Sequence, residues 1–380
     1  MDRQRILIIG PISESGGREI NSIFFIEQFQ KKYEVTVFST IPVSSLSIVD
    51  EFLCPNKMIS FERIALENPA IKFFAKAIKR KNRLQCENVF LVKNKISSFF
   101  FNFDKLYEKT LYEQISKQDI VFYSGLLSDK WLPVVSKICK QKHKKLIVRI
   151  TGSFSSEMEY SKILKEEKIV VHSFENLKAL INEGFKNVRC IEQSSRLEKD
   201  LLSSDISVNF PLKFGYLGRM SHEKGLEVIL ESFKRTKLEL VIAGSGPLGN
   251  KIADFASKNS NIKKIGFIPH INLPKFLNSI DVLLIASRNE GGPLVGIEAM
   301  AAGKLVLSTK VGAMPQRLNF VNKELLIDDS SEVELCNAID ILLQKTESDI
   351  YDLKRQMRKY YLNYASNEIV MNKYFQFIES

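Results

Sequence analysis

Arg219 and Lys224 stand five residues apart in GRMSHEKG, bracketed by Gly218 and Gly225. Two cations on one tight loop suit a diphosphate, the arginine through its planar fork and the lysine as a point charge. The same pair also reads as two solvated surface cations. Further along, SRNEGGPLVGIEAMAAG sets a carboxylate, Glu290, before Gly291 and Gly292, two residues that let backbone amides approach a ligand closely. Pro293 suits the start of a helix over 294–302, whose free N–H groups favour an anion. Glu298 follows eight residues after Glu290. Two such carboxylates accept hydroxyl donors, as recognition of a sugar or ribose requires. Glu298 alone is equally explained as an acid near a helix N-terminus. That explanation leaves Glu290, the glycines and the proline unaccounted for. VIAGSGPLG adds Gly244, Gly246 and Pro247, by themselves a weak turn signal. His222 lies between the two cations and reads as an exposed loop histidine.

Positioning these loops requires strands that end where they begin. Short β-branched or aliphatic runs alternate with helix-length amphipathic stretches throughout, the pattern of α/β proteins with parallel sheets. Strands are expected at 6–9, 35–38, 89–92, 120–122, 146–150, 169–171 and 188–191. A second series begins near Leu212 with KFGYLG, LELVIAG, NIKKIGF, DVLLIAS and KLVLS. Two successive doubly wound units follow. The polar, serine-rich stretch 193–211, ending in Pro211, is expected to link them. The expected domains are 1–205, joined by a returning C-terminal helix at about 360–380, and 206–359. Ligands of open α/β sheets bind at the carboxyl ends of the strands, so a cleft between the two sheets is the expected site.

The chain has 380 residues, 44% hydrophobic and 26% charged, which excludes a disordered or fibrous protein. No apolar run approaches the roughly 20 residues needed to span a bilayer, and MDRQRILIIG enters a strand directly, so a cytoplasmic protein is expected. Cys54, Cys86, Cys139, Cys190 and Cys336 are scattered and never form a CxxC pair, which fits buried thiols. His143, His172, His222 and His270 show no ligand spacing, and no DxD motif is present. Metal independence is therefore expected. Net charge is +11, of which +9 falls in residues 1–204 and +2 in the remainder. The first half calls for an anionic partner: nucleic acid, a phosphorylated substrate or an acidic membrane. Nucleic acid is not expected, because no RNA-recognition aromatic signature, zinc finger or basic zipper occurs. GPISESGG lacks GxGxxG spacing and VTVFST ends without an acid, which disfavours a dinucleotide-dependent dehydrogenase.

Within the basic half, AIKFFAKAIKRKNR places Ile71, Phe74, Ala75 and Ile78 on one helical face and Lys72, Lys76, Lys79, Arg80 and Arg83 on the other. SSFFFNF follows. This segment, 71–83, fits either interfacial binding to an anionic membrane or a surface helix packing its apolar stripe on the core.

The order GR-MSHEKG, GSGP, GFIPH, DVLLIAS and EGGPLVGIEAMAAG resembles the second domain of retaining glycosyltransferases of the GT-B fold, in glycosyltransferase family 4 (glycosyl transferases group 1). The resemblance covers roughly 213–315. At the amino end IIGPISESGGREINSIFFIEQF is similar to the family's glycine loop, and YASNEIVMNKYFQF to its last helix. The resemblance implies two Rossmann-like domains facing across a cleft and a nucleotide-sugar donor, UDP- or GDP-linked, with no separate cofactor. The acceptor would be a saccharide or lipid-linked saccharide in surface polysaccharide synthesis at the inner face of the membrane. By matching motif it implies that Arg219 and Lys224 hold the diphosphate, Glu290 the sugar hydroxyls and Glu298 the ribose. Gly218, Gly244 and the backbone through Gly291, Gly292, Pro293, Leu294 and Val295 would complete the pocket. Phe267 and Ile268 would border the base, and Gly16 and Gly17 would face the donor from the first domain. The chain departs from the family at Gln316, where glutamate is usual, and in CIEQSSRL, which lacks Asn-Gly. It departs again at Thr151-Gly152 on the acceptor side, where many members carry His-Gly. A sugar-nucleotide epimerase or hydrolase on the same fold and a non-catalytic anion-binding protein are the alternatives.

Overall fold

The computed structural model describes residues 3–13, 16–53, 58–155 and 159–380; Cys54 lies outside them. The chain divides into two units, Met1–Val170 with Leu180–Arg189 and Phe377–Ser380, and Val171–Ala179 with Cys190–Gln376. Among the described residues thirteen strands run in chain order: β1 Arg5–Gly10, β2 Glu34–Ser39, β3 Ile59–Ser60, β4 Ile120–Gly125, β5 Lys145–Ile150, β6 Lys168–Val171, β7 Asn187–Cys190, β8 Phe214–Leu217, β9 Leu240–Ala243, β10 Ile262–Gly266, β11 Val282–Ile285, β12 Leu305–Thr309 and β13 Leu326–Ile327.

The first sheet has the order β3-β2-β1-β4-β5-β6-β7. β1 pairs in parallel with β2 and β4, so the strand order reverses there. Ile6, Leu7, Ile8 and Ile9 are all fully buried, which is why this strand reads as an unbroken apolar run rather than an alternating one. Beyond β1, the Glu19 carboxylate accepts from the Ser13 amide at 2.7 Å and its hydroxyl at 2.9 Å. Gly16 and Gly17, both exposed, lead into the helix Gly17–Phe29. Past β4, Asp129 accepts from the Leu126 amide at 2.9 Å and the Tyr123 hydroxyl at 3.1 Å. Burial raises this carboxyl above its ordinary range. Thr151 follows β5 and donates its amide to Gly125 O at 3.0 Å.

The second sheet has the order β10-β9-β8-β11-β12-β13, again parallel, and reverses between β8 and β11. Its core joins Phe214 and Tyr216 of β8 to Val282–Ile285 of β11 and Ile297 and Met300 of the helix Leu294–Ala301. The serine-rich stretch 193–211 lies inside this unit. Its Ser194 bonds the Tyr361 hydroxyl at 3.1 Å and Asn367, and Glu198 accepts from Tyr361 at 2.9 Å. A π-turn at Tyr361–Ala365 then leads to the final helix, Asn367–Glu379.

One expectation fails, and one open reading is narrowed. Residues 89–92 form no strand; Asn88–Leu91 is a short 3-10 helix. Val89 and Val92, three apart, point inward while Phe90 is exposed, a helical spacing that a strand would not bury. In the basic helix Pro69–Lys81, Ile71 and Ala75 are buried and Phe74 and Ile78 half-buried, so the apolar stripe packs inward, the second of the two readings of this segment.

Candidate functional site

The candidate site grows from the carboxyl ends of β8 and β11, the reversal point of the second sheet, where the crevice of an open α/β sheet lies. After β8 the chain turns through Gly218 and Arg219. The Tyr216 hydroxyl donates to Arg219 O at 2.7 Å, and burial, then the Glu290 charge, holds that phenol protonated well above its usual range. The Arg219 side chain is exposed. His222–Lys224 forms one 3-10 turn, and Gly225, at φ 64°, passes the chain into the helix Leu226–Lys234. A Cβ at Gly225 would stand 1.9 Å from Ala286 O, so only glycine lets this turn press on the loop after β11. The Arg288 amide donates to Glu223 O at 2.9 Å across the same junction.

The loop beyond β9 meets the loop after β8 main chain to main chain. Met220 N donates to Ser245 O at 2.8 Å, and Leu248 N to Met220 O at 2.9 Å. Gly244 has φ 136°, and a Cβ there would lie 1.9 Å from Gly218 O.

After β11, Glu290 pairs with Lys224 and accepts from the Ser287 hydroxyl at 3.0 Å. Both contacts use Oε1, and the ammonium keeps two further donors. Residues 66 positions apart in the chain are thus brought to one point. Thr309 at the end of β12 fixes this loop from below, its hydroxyl bonding Ser287 O at 2.7 Å. Pro293 occupies the N-cap of the helix Leu294–Ala301, whose first amides lack intrahelical acceptors. Leu294 and Val295 are half-buried against the core.

Glu298 stands apart from the Lys224–Glu290 pair. It is buried, and its Oε1 lies 2.9 Å from His270 Nε2 and accepts from Ser195 Oγ at 2.9 Å. His270 belongs to the loop after β10 that also carries Phe267, exposed, and Ile268, half-buried. His222 is exposed, with Nδ1 2.8 Å from Glu227.

One arrangement was invisible in the sequence. Arg317, fully buried, pairs with Glu192 through Nη2 at 2.6 Å and Nε at 3.2 Å, and donates to Pro293 O at 2.8 Å and Gln193 Oε1 at 3.1 Å. Tyr360 donates to the same carboxylate at 3.0 Å. This cluster holds the residue that opens the helix Leu294–Ala301. Beside it Gln316 accepts from Phe174 N at 2.8 Å and donates to His172 O at 3.1 Å. An ionised glutamate could not make the second bond, so the departure at 316 has a local use. Among the described residues no group of three or more His, Cys, Asp or Glu side chains is placed to hold a metal ion.

Residues 207–363 match the family model of glycosyl transferases group 1. An uncharacterised glycosyltransferase of Methanocaldococcus jannaschii is 29% identical over 140 residues, 36% of this chain and 39% of that protein. The capsular polysaccharide biosynthesis glycosyltransferase CapM of Staphylococcus aureus is 29% identical over 186 residues, 46% of each chain. The alignments therefore span less than half the length of these relatives. HepE of Anabaena, solved in complex with UDP, superposes with a TM-score of 0.71 at 13% identity, covering 99% of this chain and 100% of that one. The fold is GT-B.

Proposed function

We propose that this chain is a glycosyltransferase that moves a sugar from a nucleotide-sugar donor to a saccharide or lipid-linked saccharide acceptor, with retention, in surface polysaccharide biosynthesis on the cytoplasmic side of the membrane. The observation that carries the reading is the Lys224–Glu290 pair at the reversal point of the second sheet, inside the segment that matches the family model. A cation for phosphate and a carboxylate for hydroxyls meet there, as a ligand that is half diphosphate and half sugar requires. CapM is a capsular polysaccharide glycosyltransferase and HepE binds UDP, which supports the same substrate class.

Departure of the nucleoside diphosphate leaves negative charge on its phosphates. In this reading Arg219, Lys224 and the amides at the start of Leu294–Ala301 are fixed where that charge develops, so no metal is needed to stabilise it. Glu290 orients the sugar, Glu298 accepts the ribose hydroxyls, and Phe267 and Ile268 border the base. Gly16 and Gly17 are assigned to the donor, and Thr151 and Gly152 to the acceptor. The donor is the only small molecule invoked besides the acceptor.

The test incubates the chain with UDP- and GDP-sugars, with and without acceptor, in EDTA, and resolves products by NMR. Transfer to the acceptor with the anomeric configuration kept is expected. Release of free sugar alone, an epimerised donor, or activity only after a divalent ion is restored would each overturn part of the reading. Arg219→Ala or Lys224→Ala should lower turnover about 10²-fold with the fold intact, and near-normal turnover in both would remove them from the mechanism.

A further inference from the structure

The inward packing of Ile71 and Ala75 leaves the opposite face of Pro69–Lys81 to be explained. Phe73 lies on it, 66% exposed, with Lys76 and Arg80 three and seven positions on, along the same helical row. Beside this helix stands Lys95–Phe100, held at its start by a reciprocal Asn94–Ser97 capping box. Phe100 stacks on Phe74 with ring centres 5.4 Å apart and planes 2° from parallel. Phe99 meets Phe100 edge-on at 5.3 Å, and Phe73 meets Phe74 at 5.8 Å. Four rings form one continuous patch; Phe99 is 85% and Phe100 63% exposed.

The charges around this patch have one sign. Residues 69–100 contain eight cations (Lys72, Lys76, Lys79, Arg80, Lys81, Arg83, Lys93 and Lys95) and one acid, Glu87. Glu87 is occupied by the amide and hydroxyl of Ser45 at 3.0 and 2.9 Å. Among the described residues none of Lys72, Lys76, Lys79, Arg80, Lys81 or Arg83 makes an ion pair. Protein interfaces are depleted in lysine around their aromatic centres, whereas interfacial membrane segments combine aromatic anchors with a cationic rim. We propose that this face docks on an anionic lipid bilayer, Phe73, Phe99 and Phe100 entering the headgroup boundary while Lys72, Lys76, Arg80 and Lys81 lie over the headgroups.

The full chain is sedimented with vesicles of phosphatidylcholine, and of phosphatidylcholine with about 30% phosphatidylglycerol, at low and high salt. Wild type should partition strongly only into the anionic vesicles and be released by salt. Phe99→Ser with Phe100→Ser should lower partitioning about tenfold or more. Lys76→Gln, Arg80→Gln and Lys81→Gln together should lower it on the order of 10²-fold on anionic vesicles, about fivefold per cation. These side chains are exposed, so circular dichroism and the thermal midpoint should match wild type. Donor affinity by calorimetry should also be unchanged, which separates failure here from failure of the transferase reading. Wild type left in the supernatant under every condition, or equal binding to both vesicles, would overturn the proposal. So would a dimer that the aromatic variant dissociates while vesicle binding stays the same, since the face would then join two copies of the chain.

Discussion

Replacing Arg317 with Met removes a charge from a site with no access to water. Glu192, itself buried, would keep the Tyr360 hydroxyl at 3.0 Å and the Gln193 amide at 2.8 Å, but lose both guanidinium contacts. Leaving one partner of a buried pair uncompensated costs about 3–5 kcal/mol. Pro293 O and Gln193 Oε1 lose donors as well, which places the expected loss in the upper part of that range. For a unit of about 200 residues each kcal/mol moves the midpoint by about 2–4 °C, so Arg317→Met should fall by roughly 8–20 °C. Replacing both partners, Arg317→Met with Glu192→Leu, removes the orphaned charge and should recover much of the loss. Scanning calorimetry gives the midpoints, and hydrogen exchange of the β8 and β11 amides reports this unit by itself. A single variant within 2 °C of wild type, or losses that simply add in the double variant, would refute the account.

Two further outcomes follow from the site. Glu298→Gln should weaken both the nucleoside diphosphate and the intact donor, while Glu290→Gln should weaken the donor and spare the diphosphate; equal loss of diphosphate binding in calorimetry would defeat that division. Gly244→Ala should destabilise by at least about 2 kcal/mol, because the new methyl must displace Gly218 O from a backbone already at φ 136°. Gly249→Ala, whose Cβ meets nothing within 4 Å, serves as the control and should be neutral in urea denaturation.

Much of the scaffold was legible because buried parallel strands have a simple signature. Val282–Ile285 and Leu305–Thr309 are buried throughout and read as uninterrupted apolar runs. The loops were legible too, since Gly225 and Gly244 mark where backbone must turn or approach closely. β3 and β13, two residues each, are too short to show a period and went unread. Val89–Val92 failed for the related reason that a four-residue apolar run does not distinguish a strand from a helical turn. Partners far apart in the chain left no trace at all. Glu192 and Arg317 are 125 residues apart, and a buried arginine looks in sequence like any surface cation. The sequence offers Glu298 as an acceptor of hydroxyl donors and gives no sign that Ser195 and His270, neither within 25 residues of it, share its Oε1. The phenylalanines of SSFFFNF stand out in the sequence, but that Phe100 would stack on Phe74 and leave Phe99 outward depended on how two helices settle side by side.

The joining of the β8 and β9 loops through amides and carbonyls alone bears on the entropy of ligand capture. A wall assembled from side chains has rotamers to surrender when a ligand docks, at about 0.5–1.5 kcal/mol for each long one immobilised. Met220 N to Ser245 O and Leu248 N to Met220 O are bonds between groups that have no rotamers. Folding has already met the ordering cost of this wall. In the proposed reading a diphosphate arriving there meets a surface whose freedom was spent before it came, so that the entropy its docking consumes is drawn from the ligand and from the exposed Arg219 side chain, Lys224 being held already by Glu290.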